Sequence, residues 1–431
     1  MAAQRPQLKR RYSRDDPRGR FPRVKGFPGV ECNRLGVFWR PLIDMTESPY
    51  VAVLLREIIQ VADWLADDDG HWSWFAMIGV PGLRRQVVLH AGLEEFDCRR
   101  PDELAEGLRS ARWQCLVDLL GRFSCLADGT RALLVFHLAQ LSFTESVFAL
   151  TGVVEPNGDP ERDRYAYEVA RVHSRYPDHR DRSLSAFDAL SRSCPDPVLA
   201  LASAAQGAGH SIRGVSDIAL AAEFATRGMR IISKGLPDDW HSDLVRSRFH
   251  RAVALLRVAQ RDPSGMRSEL SESMRFGQAV LAAGLAGPDQ LVATENWLVL
   301  VQTKIKSVLK RRGDETDAEV AKLSAALAAL DPYCVEARSI AGDGYAAAGD
   351  YAEAAEQYRC AGQLGTAIGA VAWFRAGQCH DLLGDRAAAI NAMGRCLELD
   401  ASAIEPREYI REHSRIGLAE RTPAVVRTGV A

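Results

Sequence analysis

Long hydrophobic runs are missing from this sequence. Apolar runs such as Ala132-Leu-Leu-Val-Phe136 and Trp297-Leu-Val-Leu-Val301 fall far short of the ~20 apolar residues that a membrane helix requires. No membrane span is expected, and no signal peptide either, because no continuous apolar stretch follows the basic residues near the start. A dominant charge is missing too. With 54 Lys and Arg against 56 Asp and Glu, the net charge is -2, so no global field points to nucleic acid, a membrane surface or an acidic substrate. Paired cysteines are absent: Cys32, Cys98, Cys115, Cys125, Cys194, Cys334, Cys360, Cys379 and Cys396 are odd in number and scattered, with no Cys-x-x-Cys. Most fall in predicted helices, where a free thiol acts as a small apolar group, which suits a reducing cytoplasm. Strand patterning is scarce, with only Gln86-Val-Val-Leu-His90 making a weak claim. The glycine-rich phosphate loops, the Gly-x-Ser-x-Gly elbow and His-Glu-x-x-His are all absent. What remains is 47% hydrophobic and 26% charged, enough apolar material for a large core.

Residues 335–400 carry the clearest order. Tyr345-Ala-Ala-Ala-Gly349-Asp350-Tyr351-Ala-Glu-Ala354-Ala-Glu-Gln-Tyr358-Arg-Cys-Ala361 is answered 35 residues later by His380-Asp-Leu-Leu-Gly384-Asp385-Arg386-Ala-Ala-Ala389-Ile-Asn-Ala-Met393-Gly-Arg-Cys396. Gly349 and Gly384 stand where a helix ends in a left-handed cap. Asp350 and Asp385 stand where the next helix needs an acceptor for its first N–H groups. Ala354 and Ala389 let two helix axes approach closely. Each copy therefore predicts helix, Gly-Asp turn, helix, and a fixed period of this length marks hairpins that bury their apolar faces by stacking. With Gly342 before Tyr345, and Trp373 and Gly377 before His380, the stretch resembles the tetratricopeptide repeat (TPR).

That resemblance implies a helical-hairpin solenoid in the C-terminal half and a binding scaffold rather than a catalyst. It further implies a concave face lined by the first helix of each pair, with Glu336, Ser339, Asp343 and Ala347 from one hairpin and Phe374, Arg375, Gln378 and Asp381 from the next. These residues are mixed in charge, so a bound protein or peptide would be held by side-chain pockets and backbone amides. The protein's own N-terminal part is the competing occupant of that face. No cofactor and no metal are expected.

In chain order, residues 1–30 are read as a basic disordered arm, where Arg5, Lys9, Arg10, Arg11, Arg14, Arg18, Arg20, Arg23 and Lys25 face Asp15 and Asp16 among Pro and Gly. Tyr12 and Phe21 are too few for a base-stacking platform. Residues 31–154 form an expected helical N-terminal domain, with amphipathic stretches at 50–66, 102–126 and 130–150. Between them, Asp67-Asp68-Asp69-Gly-His71-Trp72 reads as an acidic turn beside aromatics, without the ligand spacing of a calcium loop. Residues 155–195 are expected to be a linker with one short helix at 161–173, and His173 and His179 to be surface loop residues. A helical array is expected over 196–420, with helices at 198–209, 217–233, 240–260, 265–283, 289–311, 317–330 and 402–418, then a tail at 421–431; the family's pattern is not found in 240–312.

The whole is an all-α chain, and the first functional expectation is a cytoplasmic adaptor or accessory protein. Its Ala- and Arg-rich usage suits a GC-rich bacterium and a specialised pathway there. Two alternatives stand beside it. One is an enzyme or enzyme subunit with Asp68, Asp69, His71, His173 and His179 as candidate groups. The other is a regulator that lays its basic arm on nucleic acid.

Overall fold

The structure is a computed structural model that describes residues 8–10, 12–15, 100–109, 111–140, 143–174, 176–311, 317–330, 335–364 and 369–419. The expected helix at 50–66, the acidic turn with Asp68, Asp69 and His71, and the weak strand at 86–90 lie outside these residues.

The described chain is helical, and among the described residues the sole β-type pairing is an isolated antiparallel bridge between Arg14 and Ala403. The helices are α1 (Ala111–Gly121), α2 (Asp128–Gln140), α3 (Thr144–Leu150), α4 (Pro160–His173), α5 (Arg180–Ser193), α6 (Pro197–His210), α7 (Ile218–Lys234) and α8 (Trp240–Ala259). They continue as α9 (Pro263–Ala282), α10 (Gly287–Arg311), α11 (Asp317–Leu330), α12 (Val335–Ala348), α13 (Tyr351–Leu364), α14 (Gly369–Leu382), α15 (Arg386–Leu399) and α16 (Ile404–Ala419).

Several of their starts are written in the sequence as aspartates. Asp159, Asp196, Asp217, Asp239, Asp262 and Asp385 each accept a hydrogen bond from a first-turn N–H of the helix that follows, a cap worth about 1 kcal/mol. Three are followed by Pro160, Pro197 and Pro263, whose missing N–H costs nothing at that position. Gly349 and Gly384 adopt φ of +85° and +77°. The N–H groups of Asp350 and Asp385 reach back to the carbonyls of Tyr345 and His380 at 2.9 Å, closing α12 and α14 in the way the Gly-Asp pairs require.

Two segments differ from the expectation. The continuous patterns at 102–126 and 130–150 are each interrupted: short 3₁₀ turns precede and follow α1, and α2 and α3 are separate helices. Residues 155–195 hold α4, a 3₁₀ turn at Pro177–His179 and α5. Here Asp159-Pro160 starts a helix, and the turn at Pro177 joins two packed helices.

The chain divides into two compact units, Pro49–Leu300 and Met1–Ser48 with Val301–Ala431, and the dividing line falls within α10. In the first, α2 packs on α4, α4 on α5, α5 on α6, α6 on α7 and α8, and α8 on α9. Large rings seat on glycines: a Cβ at Gly207 would lie 2.3 Å from the Phe224 ring, and one at Gly228 2.1 Å from the Phe249 ring. Helices α8 and α9 are also joined by a reciprocal clasp. Ser247 Oγ donates to the Ser273 carbonyl at 2.9 Å, Ser273 Oγ donates to the Ser247 carbonyl at 2.6 Å, and Asn296 Nδ2 donates to Ser247 Oγ at 3.0 Å. In the second unit α11 packs on α12, and each helix from α12 to α15 packs on the next, ending with α16 on α15. There Gly342 faces Tyr358 and Gly377 faces Met393.

Candidate functional site

The second unit holds the candidate site. Residues 8–10 and 12–15, which fall in the stretch read from the sequence as a basic arm, lie along α14 and the start of α16. They contact residues more than 360 positions away in the chain, which no local composition reveals. Gln378 on α14 pairs with the backbone of Lys9 in both directions, its Oε1 accepting the Lys9 N–H at 2.7 Å and its Nε2 donating to the Lys9 carbonyl at 3.2 Å. One turn earlier, Arg375 Nη2 donates to the Arg10 carbonyl at 3.0 Å.

Arg375 is set in place from behind. Its Nη1 pairs with the Asp343 carboxylate of α12, the Tyr358 hydroxyl donates to that same carboxylate at 2.5 Å, and the guanidinium lies 5.6 Å from the Tyr358 ring centroid. Burial and the adjacent Asp343 push the Tyr358 hydroxyl well above its ordinary pKa, so it stays a donor. The site-facing row of α14 is thus positioned from behind by Asp343 and Tyr358.

Tyr12 is the anchor. It is 8% exposed, its ring meets Phe374 edge to face at 5.5 Å, and it packs into a cluster with Ala370, Met393, Cys396 and Ala403. Its hydroxyl donates to Asp400 Oδ2 at 3.0 Å. Burial first, then the neighbouring Cys396 and Asp400, raise the Tyr12 pKa far above the tyrosine range. Asp400 is itself almost fully buried and pairs with Arg14 Nε at 2.9 Å. Burial opposes its charge, but the Ser402 hydroxyl and N–H, the Tyr12 hydroxyl and the Arg14 guanidinium outweigh that and hold the carboxyl below the usual range.

Beyond Tyr12 the arm runs antiparallel to residues 402–404. The Ser13 carbonyl accepts from the Ile404 N–H at 2.9 Å, and the Asp15 N–H donates to the Ser402 carbonyl at 3.0 Å. Ser13 also donates twice to Glu405, from its N–H at 2.6 Å and its Oγ at 3.1 Å. Asp15 pairs with Arg407 at 2.7 Å. At the other end, Leu8 packs against the cluster of Tyr345, Ala354, Tyr358 and Ala376. Six backbone groups of the arm, on Lys9, Arg10, Ser13 and Asp15, are hydrogen-bonded to this surface, while Leu8, Tyr12 and Arg14 add side-chain contacts with a buried partner.

Of the residues expected to line a concave face, Phe374, Arg375 and Gln378 touch the arm and Asp343 positions Arg375. Of the rest, Glu336 pairs with Lys306 at 3.1 Å, Ser339 is buried within α12, Asp381 accepts the Tyr409 hydroxyl at 2.6 Å, and Ala347 is exposed. Sequence reasoning missed Asp400, Ser402 and Glu405. The available signal was positional: Asp400 directly follows the helix that ends at Leu399.

His173 and His179, expected as surface loop residues, come together in the first unit. Their ring centroids are 4.9 Å apart and both rings lie against Phe148. His173 ends α4, is buried, and its Nε2 lies 3.1 Å from Thr151 Oγ1. Burial, with the charge of His179 and Arg182, lowers its pKa to about 4, so near neutral pH it is an uncharged hydrogen-bonding partner. No third His, Cys, Asp or Glu completes a metal-binding group anywhere among the described residues. The five cysteines whose side chains are described carry free thiols, and burial raises Cys194 and Cys379 to about 12, which makes them poor nucleophiles. No helix among the described residues is long and apolar enough to cross a membrane. No protein-family model matches this sequence, and no curated protein matches it either.

Proposed function

We propose that the C-terminal helices form a TPR-like solenoid whose concave face holds an extended peptide, and that the protein is an adaptor or accessory factor that captures a protein partner there. The observation that carries this reading is the pair Gln378 and Arg375. They stand one turn apart on α14 and satisfy both polar groups of one residue and the carbonyl of the next. An amide that brackets a peptide unit and a guanidinium aimed at a carbonyl recognise backbone rather than any one side chain, and the Asp343–Tyr358 pair behind them keeps that geometry ready. The helix-facing glycines and the Gly-Asp turns support the hairpin part of the reading. A cytoplasmic bacterial setting in a specialised pathway is part of the same proposal and rests on composition.

The test is affinity capture from the native host with the intact chain and with a variant carrying Arg375→Glu and Gln378→Ala. A partner captured by the intact protein and lost from the still-folded variant is the expected result. The same partners with both proteins would remove this face from consideration.

A further inference from the structure

We propose that residues 8–15 are an exchangeable occupant of the α14–α16 face, and that its external ligand is an extended basic segment of another protein bearing tyrosine and, two residues on, arginine. This rests on the reading of that face as a peptide site and specifies what the peptide must carry. The contacts sort into two kinds. Those to Lys9, Arg10, Ser13 and Asp15 are mainly to backbone and lie at exposed positions, so any extended chain makes them. Those that select are Tyr12 and Arg14, and both converge on Asp400. A buried carboxylate that accepts a phenol on one side and a guanidinium on the other favours Tyr-x-Arg and disfavours acidic or aliphatic residues at either place.

The same contacts make the arm replaceable. One aromatic anchor is buried, and the remaining polar contacts are mostly solvated pairs of small individual weight. The face does not need the arm in order to exist. Arg375 is fixed by Asp343 and Tyr358, Phe374 by the α14–α15 packing, and Asp400 by the Ser402 hydroxyl at 2.6 Å and the Ser402 N–H at 3.1 Å. With the arm away, a preformed slot remains whose carboxylate lacks its phenol and its guanidinium. A foreign segment with the same two side chains restores both. As a covalently attached competitor, the arm weakens such a ligand by a constant factor at any dilution.

The test uses the full chain and a fluorescein-labelled decapeptide, Gln-Leu-Lys-Arg-Arg-Tyr-Ser-Arg-Asp-Asp, read by anisotropy at fixed salt. Disabling the arm with Tyr12→Ala and Arg14→Ala is expected to tighten peptide binding at least about tenfold over the unaltered chain. Adding Gln378→Ala to that protein, or replacing the peptide's tyrosine or arginine by alanine, is expected to reverse most of the gain. Circular dichroism of each variant establishes that the helices persist.

Equal peptide affinity for the intact and arm-disabled chains overturns the proposal, as does undiminished binding of the tyrosine-free peptide. A concentration-dependent dimer that dissociates on Tyr12→Ala and Arg14→Ala also overturns it, since the occupant would then be a second copy's arm. If the peptide fails while host capture still depends on Arg375 and Gln378, the proposal falls and the adaptor reading stands. Peptide exchange as described without any groove-dependent partner in the host leaves the exchange intact and removes the adaptor reading.

Discussion

The two units find partners for their polar groups in different ways. In Pro49–Leu300 they are sealed inside: Glu168 and Arg171 pair at 2.6 Å with almost no exposure, His173 and Asn296 are buried, and Ser247 and Ser273 are fully enclosed. In the unit built from Met1–Ser48 and Val301–Ala431, Arg375, Gln378, Glu405 and the buried Asp400 instead find partners on the arm. Polar groups satisfied within the core make stability depend on each one. Polar groups satisfied by a segment distant in sequence make that segment's occupancy depend on them.

The sharpest way to break this contrast is Arg171→Ala. It leaves Glu168 without that guanidinium in a closed interior and removes the cation stacked 5.4 Å over Phe136, so a loss of about 3–5 kcal/mol in denaturant unfolding is expected. A loss below about 1 kcal/mol would mean that water or another cation reaches Glu168 easily, and the interior would not be sealed.

Next in size is a pair of glycine substitutions. Gly228→Ala drives a methyl into the rigid Phe249 ring and is expected to cost about 1–3 kcal/mol. Gly377→Ala meets the flexible Met393 side chain, whose nearest atom lies 2.8 Å from the added carbon. Adjustment of the thioether together with better helix propensity should bring the net effect to within about 1 kcal/mol of zero. Equal losses in the two variants would show that the second unit is packed as tightly as the first.

The smallest stability effect belongs to the arm. Ser13→Glu sets a carboxylate against Glu405 and removes the hydroxyl that donates to it. Global stability should shift by no more than about 0.5 kcal/mol, while binding of the labelled decapeptide to the full chain should tighten several-fold as the arm is repelled. A large fall in unfolding free energy here would make the arm part of the core.

Legibility from sequence followed the same divide between local and distant causes. Helix positions were readable because caps and periodicity are local: Asp262-Pro263 and Asp196-Pro197 announce their helices, and Gly349-Asp350 announces a turn. The repeating glycine-to-large-residue contact was readable only where helix lengths are constant. Gly342 meets Tyr358 and Gly377 meets Met393, each sixteen residues on, between helices of 14 residues. In the stretch with 20-residue helices, Gly228 meets Phe249 and Gly277 meets Leu300 at other spacings, so the same device escapes a search for a period. Of the site, Phe374, Arg375 and Gln378 on α14 were named from the sequence, and they are residues that touch the arm. Tyr12 and Leu8 were not legible, since two apolar residues in a basic stretch gain their burial from Phe374, Tyr358 and Cys396 at the far end of the chain.

The serine clasp between α8 and α9 has a mechanical consequence. Because each hydroxyl reaches the carbonyl on the opposite helix, a slide along the common axis breaks both bonds at once, and one full turn of displacement, ~5.4 Å, offers no equivalent pair. The two 20-residue helices are keyed in a single axial position. Motion in this part of the molecule must therefore carry α8 and α9 together as one beam, with bending left to the joints at either end.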